Sequence, residues 1–191
     1  MTFKDMVRGS RSYRRFYEND LIARDTLLTL VDYARLSACG ANVQALKYFI
    51  SCDKSLNEKI FPALLWGMYL KEQGTPSPGE RPSGYIILLQ DKDYKMYGGI
   101  DHGIAAHAIL LGATEIGLGG CMFLNIKREQ LLETLGLPGT YEILLAVALG
   151  RPKEKVVIDE IDPGDDIKYW RDNNQVHHVP KRKLKDVVIN F

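Results

Sequence analysis

Apolar positions recur at near-helical spacing first in "LIARDTLLTLVDYARLSA", through Leu27, Leu28, Leu30, Val31, Ala34 and Leu36. That spacing predicts a helix started by Asp25 or Thr26 and ended by "CGAN". Before it, "FKDMVRG" reads as a short helix that stops at Gly9. After it, "ALKYFISC" is dense in aromatic and β-branched residues and predicts a strand. "SLNEKIFPALLWGMYLKEQG" predicts a helix interrupted at Pro62 and closed at Gly74. "YIILLQD" is a continuous apolar run between turn residues, the pattern of a strand buried on both faces. "GGIDHGIAAHAILLGATEIGLGG" predicts the longest helix, N-capped by Asp101 and stopped by Gly117 to Gly120. Its small residues would let another helix come close. "CMFLNI" predicts a short strand, "KREQLLETLGL" an amphipathic helix and "YEILLAVALG" a central strand.

Two segments break the pattern. "TPSPGERPSG" is a Pro- and Gly-rich loop, too short to link domains and suited to covering a site. From about residue 153 to 191 the chain is polar with apolar patches, too apolar for disorder and too irregular for a core of its own. It is expected to wrap over the molecule or over a second subunit. Helices and strands alternate without clean βαβ spacing, so the class is α+β: one domain over 1–191, with a central, mostly antiparallel sheet flanked by helices.

Composition narrows the partners. The 191 residues carry 25 Lys and Arg against 24 Asp and Glu, a net charge of +1, which gives no field favouring nucleic acid. Cys39, Cys52 and Cys121 are widely spaced and the four histidines are not at metal-ligand spacing, so no metal site is expected. "MTFKDMVRGS" lacks the apolar core of a signal peptide, and no apolar run is long enough to span a membrane. Together with the free thiols this predicts a cytoplasmic protein.

Four stretches carry candidate chemistry. In "RGSRSYRRF", Arg11, Ser12 and Arg14 could converge on a phosphate, since arginine forks match phosphate oxygens and a hydroxyl adds a neutral donor. The plain alternative is a solvated basic face paired with Glu18 and Asp20; Arg8 and Arg15 are expected to be surface charges. In "SACGANVQA", Asn42 and Gln44 place two amides at a helix–strand junction, with Cys39 as a small wall residue. In "GLGGC", Gly119 and Gly120 would expose a backbone N–H to a planar ligand, or merely cap a helix. In "HHVPKRKLKD", Lys181 and Arg182 could complete a phosphate clamp, while His177 and His178 point to opposite faces of an extended chain. Trp66 suits the core by its helical spacing.

The order of these stretches resembles the FMN-dependent nitroreductase family. "SRSYRRF" matches its Arg-Arg-Ser-x-Arg-x-Phe opening with Ser10 in place of the first arginine. "ACGANVQAL" keeps Asn42 and Gln44 of Pro-Ser-x-x-Asn-x-Gln-Pro-Trp, "LGGC" matches Leu-Gly-x-Gly-x-Cys with compression, and "ALGRP" matches the final strand end. The resemblance implies a homodimer with swapped terminal segments and flavin sites at the interface. It implies that Arg11, Ser12 and Arg14 hold the FMN phosphate and ribityl chain, with Lys181 and Arg182 completing the clamp. Cys39, Asn42 and Gln44 would lie near the ribityl and ring, and Gly119 and Gly120 would face flavin N5. It further implies NAD(P)H as electron donor and ping-pong reduction of a small-molecule acceptor such as a nitroaromatic or quinone, with Trp66, Tyr69 and the Pro-rich loop as candidates to line the acceptor face. The alternatives are a specialised or redox-inactive flavin binder of this fold, or a non-enzymatic dimeric anion-binding protein.

Overall fold

A computed structural model describes residues 1–95 and 99–190. Gly98 and Phe191, at the edges of two expected segments, lie outside them. The described elements run α1 Phe3–Gly9, α2 Arg24–Leu36, β1 Leu46–Ser51, α3 Lys54–Ile60, β2 Gly84–Asp91, α4 Asp101–Glu115, β3 Gly119–Phe123, α5 Arg128–Leu135, β4 Tyr141–Gly150, β5 Val156–Ile161, β6 Trp170–Arg171 and β7 His177–Arg182.

Strands β1–β4 form one antiparallel sheet in the order β1-β2-β4-β3. β2 is buried along most of its length because both faces are covered, as its unbroken apolar run predicts. On one face Ile86 and Leu88 pack against Leu27 and Leu30 of α2 and Ile109 of α4; on the other, Tyr85, Ile87 and Leu89 share a core with Ile60 of α3 and Leu131 of α5. The small residues of α4 admit α2 closely: a Cβ on Gly112 would sit 2.4 Å from the Tyr33 ring.

A bulge in β4 positions what lies beside it. Leu145 pairs with Leu88 and Ile143 with Leu89, leaving Leu144 as the extra residue. Ile143 therefore faces one core and Leu145 the other, although their spacing would put them on one face of a regular strand. Arg128 donates from Nε to the Ile143 carbonyl at 2.9 Å and from Nη2 to the Leu124 carbonyl at 3.1 Å, fastening the bulge to the chain after β3.

Three expectations change. The helix expected over residues 55–74 stops at Ile60, followed by a 3₁₀ turn at Phe61–Ala63. Beyond it Gly67 is left-handed (φ 55°) and lies against Gly74, folding the apolar stretch into turns. Asp101 is the first residue of α4 rather than its cap, and its Oδ1 accepts the N–H of Gly40 at 2.9 Å instead. The strand expected at 121–126 begins earlier, so Gly119 and Gly120 are strand residues. The tail also acquires regular structure, a three-stranded sheet in the order β5-β7-β6 with β5 and β7 parallel.

Candidate functional site: an anion cleft joined to an apolar cleft

After α1 the chain runs extended from Ser10 to Phe16. Tyr13 N donates to the Gly120 carbonyl at 3.0 Å, Phe16 N donates to the Glu80 carbonyl at 2.9 Å, and the Phe16 side chain is fully buried. This lays Ser10, Arg11, Ser12 and Arg14 along one wall of a cleft of about 720 Å³ of empty space. The facing wall is β7, whose alternate residues His177, Val179 and Lys181 look inward. Tyr169 and Met122 lie where this cleft adjoins a larger one of about 1160 Å³, which Arg14 also lines. The larger cleft is mostly apolar, walled by Trp66, Met68, Phe123, Leu124 and Leu145, with Arg14, His102 and Asn125 as polar exceptions. Trp66 also meets Phe123 edge-on at 4.5 Å, so it serves wall and core together.

The anion cleft has unspent donors. Arg14 is 7% exposed, its guanidinium lies 4.6 Å above the Tyr169 ring, and its Nε has no partner. Arg11 donates from Nη2 to the Val7 carbonyl at 2.9 Å, while its Nε is likewise buried and unpaired. Burial pushes the Arg11 pKa down, the mark of a cation short of compensating charge. No acidic side chain lines this cleft among the described residues. Buried unpaired donors are costly unless an acceptor arrives, so the chemistry of the cleft suits an anion. The solvated alternative fails on its partners: Glu18 accepts the N–H groups of Gly79 and Arg81, and Asp20 pairs with Arg151. Arg8 is exposed, but Arg15 is held by Gln175 at 3.1 Å and Glu80 at 3.6 Å rather than free on the surface.

At the end of β7, beside the cleft, lies a buried ionic cluster that no sequence motif marked. The Glu154 carboxylate accepts the backbone N–H groups of Arg14 and of Arg15 and pairs with the Arg171 guanidinium. The side chains of Glu154 and Arg171 are 2% and 0% exposed. His177 is 1% exposed, and neither ring nitrogen has a hydrogen-bond partner. Its Nδ1 lies 3.8 Å from Glu154, which would favour the imidazolium, but that carboxylate is already neutralised by Arg171. Desolvation, then the charges of Arg14 and Arg171, push the His177 pKa down to about 3, so the ring is neutral. Cys121, in the wall of the larger cleft, is pushed by burial up to about 11 and stays a thiol.

The sequence candidates thus divide. Arg11, Ser12, Arg14 and Lys181 meet in one cleft. Arg182 does not: it follows Lys181 on a strand, and its side chain leaves by the opposite face. Gly119 and Gly120 do not offer an open backbone either. A Cβ on Gly119 would meet Tyr13 at 2.4 Å, and one on Gly120 would meet the Ala148 carbonyl at 2.6 Å, so both serve close packing. Cys39 and Gln44 line a separate pocket with Tyr48 and Asp101, and Asn42 is exposed beside it. The loop that carries them is unusual in its backbone: Ala41, Asn42 and Gln44 all have φ near +50°. Such conformations cost roughly 1–3 kcal/mol each and concentrate at functional loops.

The family model described as "Nitroreductase family" matches residues 7–151, and the chain belongs to that family. A nitroreductase family protein from Clostridium novyi NT has a similar structure, with a TM-score of 0.68 at 20% identity, covering 98% of this chain and 100% of its own. A second, from Streptococcus pneumoniae TIGR4, gives 0.66 at 16% identity over 86% and 95% of the two chains. An FMN-dependent nitroreductase from Clostridium difficile gives 0.63 at 18% identity over 78% and 87%. At these identities the likeness is one of fold. No curated protein matches the sequence. Among the described residues, no helix is long and apolar enough to cross a membrane.

Proposed function

We propose that the protein is an FMN-dependent oxidoreductase that takes electrons from NAD(P)H and passes them to a small planar acceptor such as a nitroaromatic or quinone. The carrying observation is the junction of the two clefts at Arg14: unpaired cationic donors on one side, a large apolar cavity on the other. A phosphorylated flavin has that polarity, a dianionic end and a flat, mostly apolar ring. Membership of the nitroreductase family and a structural neighbour described as an FMN-dependent nitroreductase support the same reading.

Arg11, Ser12, Arg14 and Lys181 would hold the phosphate, Arg14 from the side nearest the ring. Bound FMN would supply the redox chemistry by exchanging a hydride equivalent with donor and acceptor in turn. The chain's own contribution is binding, exclusion of water and electrostatics. Trp66, Phe123 and Leu145 would line the ring site with apolar surface, which strengthens the charge interactions beside it. The cation of Arg14, placed where the clefts meet, favours a ligand that gains negative charge on reduction. No side-chain acid is needed for hydride transfer, and the Cys121 thiol, held protonated, is no nucleophile.

We further read the protein as a homodimer, acting in the cytoplasm. Asn42 and Gln44 sit on a strained, exposed loop outside their own chain's cleft, where they would complete a partner's site. The apolar residues Ile100, Ile104 and Ile116, exposed on or beside α4, would be covered by that contact.

The test begins with the purified protein. It should carry FMN that is released on denaturation, and anaerobic NADH or NADPH should bleach the bound flavin. A colourless protein that ignores added FMN would refute the proposal. Anaerobic titration with each nicotinamide, then a panel of acceptors, identifies the two half-reactions.

A further inference from the structure

We propose that Glu154 is the positioning residue of the anion seat, the group that sets Arg14 and the tail in register so that the two walls of the cleft can hold one phosphate. The inference rests on the phosphate-binding reading above and adds to it a residue that would never touch the ligand.

The seat is built from two distant parts of the chain. One wall is residues 10–14; the other is β7 with Tyr169. Neither wall is complete alone, and their alignment decides whether Arg11, Ser12, Arg14 and Lys181 reach the same group. Glu154 touches both walls at once. Its Oε1 accepts two consecutive backbone N–H groups, from Arg14 and Arg15. Two donors aimed at one oxygen fix the local backbone, and with it the direction in which the Arg14 side chain leaves. Its Oε2 side pairs with Arg171. Tyr169 lies two residues before Arg171 on an extended segment and projects from the same face, and its ring lies under the Arg14 guanidinium. The carboxylate therefore determines both where Arg14 starts and what its head rests on.

The tail is fastened to the same point. His177 N donates to the Lys155 carbonyl at 2.9 Å, and β7 pairs in parallel with β5 from Val156 onward, two residues after Glu154. Lys181 is carried on that strand, so its reach into the cleft is measured from Glu154. A fully buried ion pair is a poor stabiliser, because desolvating both charges offsets most of their attraction. What it supplies is a fixed geometry, since a buried carboxylate held by two backbone donors on one oxygen and a guanidinium against the other has little freedom to move. By linkage, an anion that bridges the two walls must in turn strengthen tail docking.

The test separates geometry from stability. Replacing one partner alone would bury an unpaired charge, so both are changed. Glu154→Leu with Arg171→Met removes the carboxylate and its cation together. Glu154→Gln with Arg171→Met keeps an amide oxygen for the two backbone N–H groups and leaves no unpaired charge. Two affinities are measured for each folded protein, for FMN and for riboflavin, which differ only in the phosphate. Thermal upshift by inorganic phosphate against chloride at equal ionic strength is a third, flavin-free readout. The Leu/Met variant should remain folded and lose about ten- to a hundredfold of the FMN preference over riboflavin, the scale of charged hydrogen bonds. Its phosphate upshift should go as well, while riboflavin affinity stays. The Gln/Met variant should keep most of the preference. Equal loss of FMN and riboflavin, an unchanged ratio in the Leu/Met protein, or equal loss of the ratio in both variants overturns the proposal. If the wild type responds to phosphate but prefers FMN no more than riboflavin, the flavin reading falls and the phosphate upshift alone decides on Glu154. A wild type indifferent to phosphate and FMN alike overturns both.

Discussion

Lowering the pH should destabilise the protein through His177 in particular. The ring is neutral in the folded state because desolvation and the charges of Arg14 and Arg171 hold its pKa near 3, against the ordinary 6.5 that it regains on unfolding. Between those values the unfolded chain binds a proton that the folded one refuses, so stability falls as pH drops from about 6.5 towards 3. The slope approaches about 1.4 kcal/mol per pH unit. From pH 7.5 to pH 5 the loss from this one group is about 2 kcal/mol, and it is insensitive to how far below 5 the folded value lies. Urea titrations of the apo-protein at pH 7.5, 6 and 5 measure the total change, and the same titrations of His177→Gln measure everything else. The wild type should lose about 2 kcal/mol more than the variant over that range. Equal losses, or an imidazole NMR signal showing His177 protonated in the folded protein at pH 5, would refute the electrostatic account of the cluster.

Two further outcomes follow from side-chain placement. Lys181→Ala should weaken FMN binding about tenfold or more and leave riboflavin binding alone, whereas Arg182→Ala should change neither, as measured by flavin fluorescence quenching. Gly120→Val should destabilise the fold by several kcal/mol, since its first added carbon would already sit 2.6 Å from the Ala148 carbonyl and 2.7 Å from Leu110; the urea midpoint reads it, and a near-neutral result would remove the close-packing account of "GLGG".

The legible parts of the fold were those whose signal is local. β2 and β4 declare themselves by unbroken apolar runs, and α2 by its spacing. The 55–74 segment misled because its apolar spacing is helical while Gly67 and Gly74 force a reversal that only their contact explains. In the candidate site, Arg11, Ser12, Arg14 and Lys181 were legible as residue types suited to a phosphate, and the structure brings them together. Arg182 could have been set aside from the sequence, because neighbours on a strand face opposite ways. The same alternation would have put His177 with Lys181. Glu154 and Arg171 carried no such signal. Their role arises from the parallel pairing of β5 with β7 and from backbone donors of a segment 140 residues away, which no short motif encodes. Gly119 and Gly120 invited a ligand-facing reading because a missing side chain looks the same in sequence whether a ligand or a tyrosine fills the space.

The family match ends at residue 151, three positions before Glu154. Everything the tail contributes to the cleft, from Tyr169 to Lys181, lies beyond that point. The family match thus covers the segment that presents the arginines and the apolar wall, while the second wall of the charged cleft comes from the tail. Changes within residues 152–190 therefore alter one wall of the cleft without touching the four-stranded sheet.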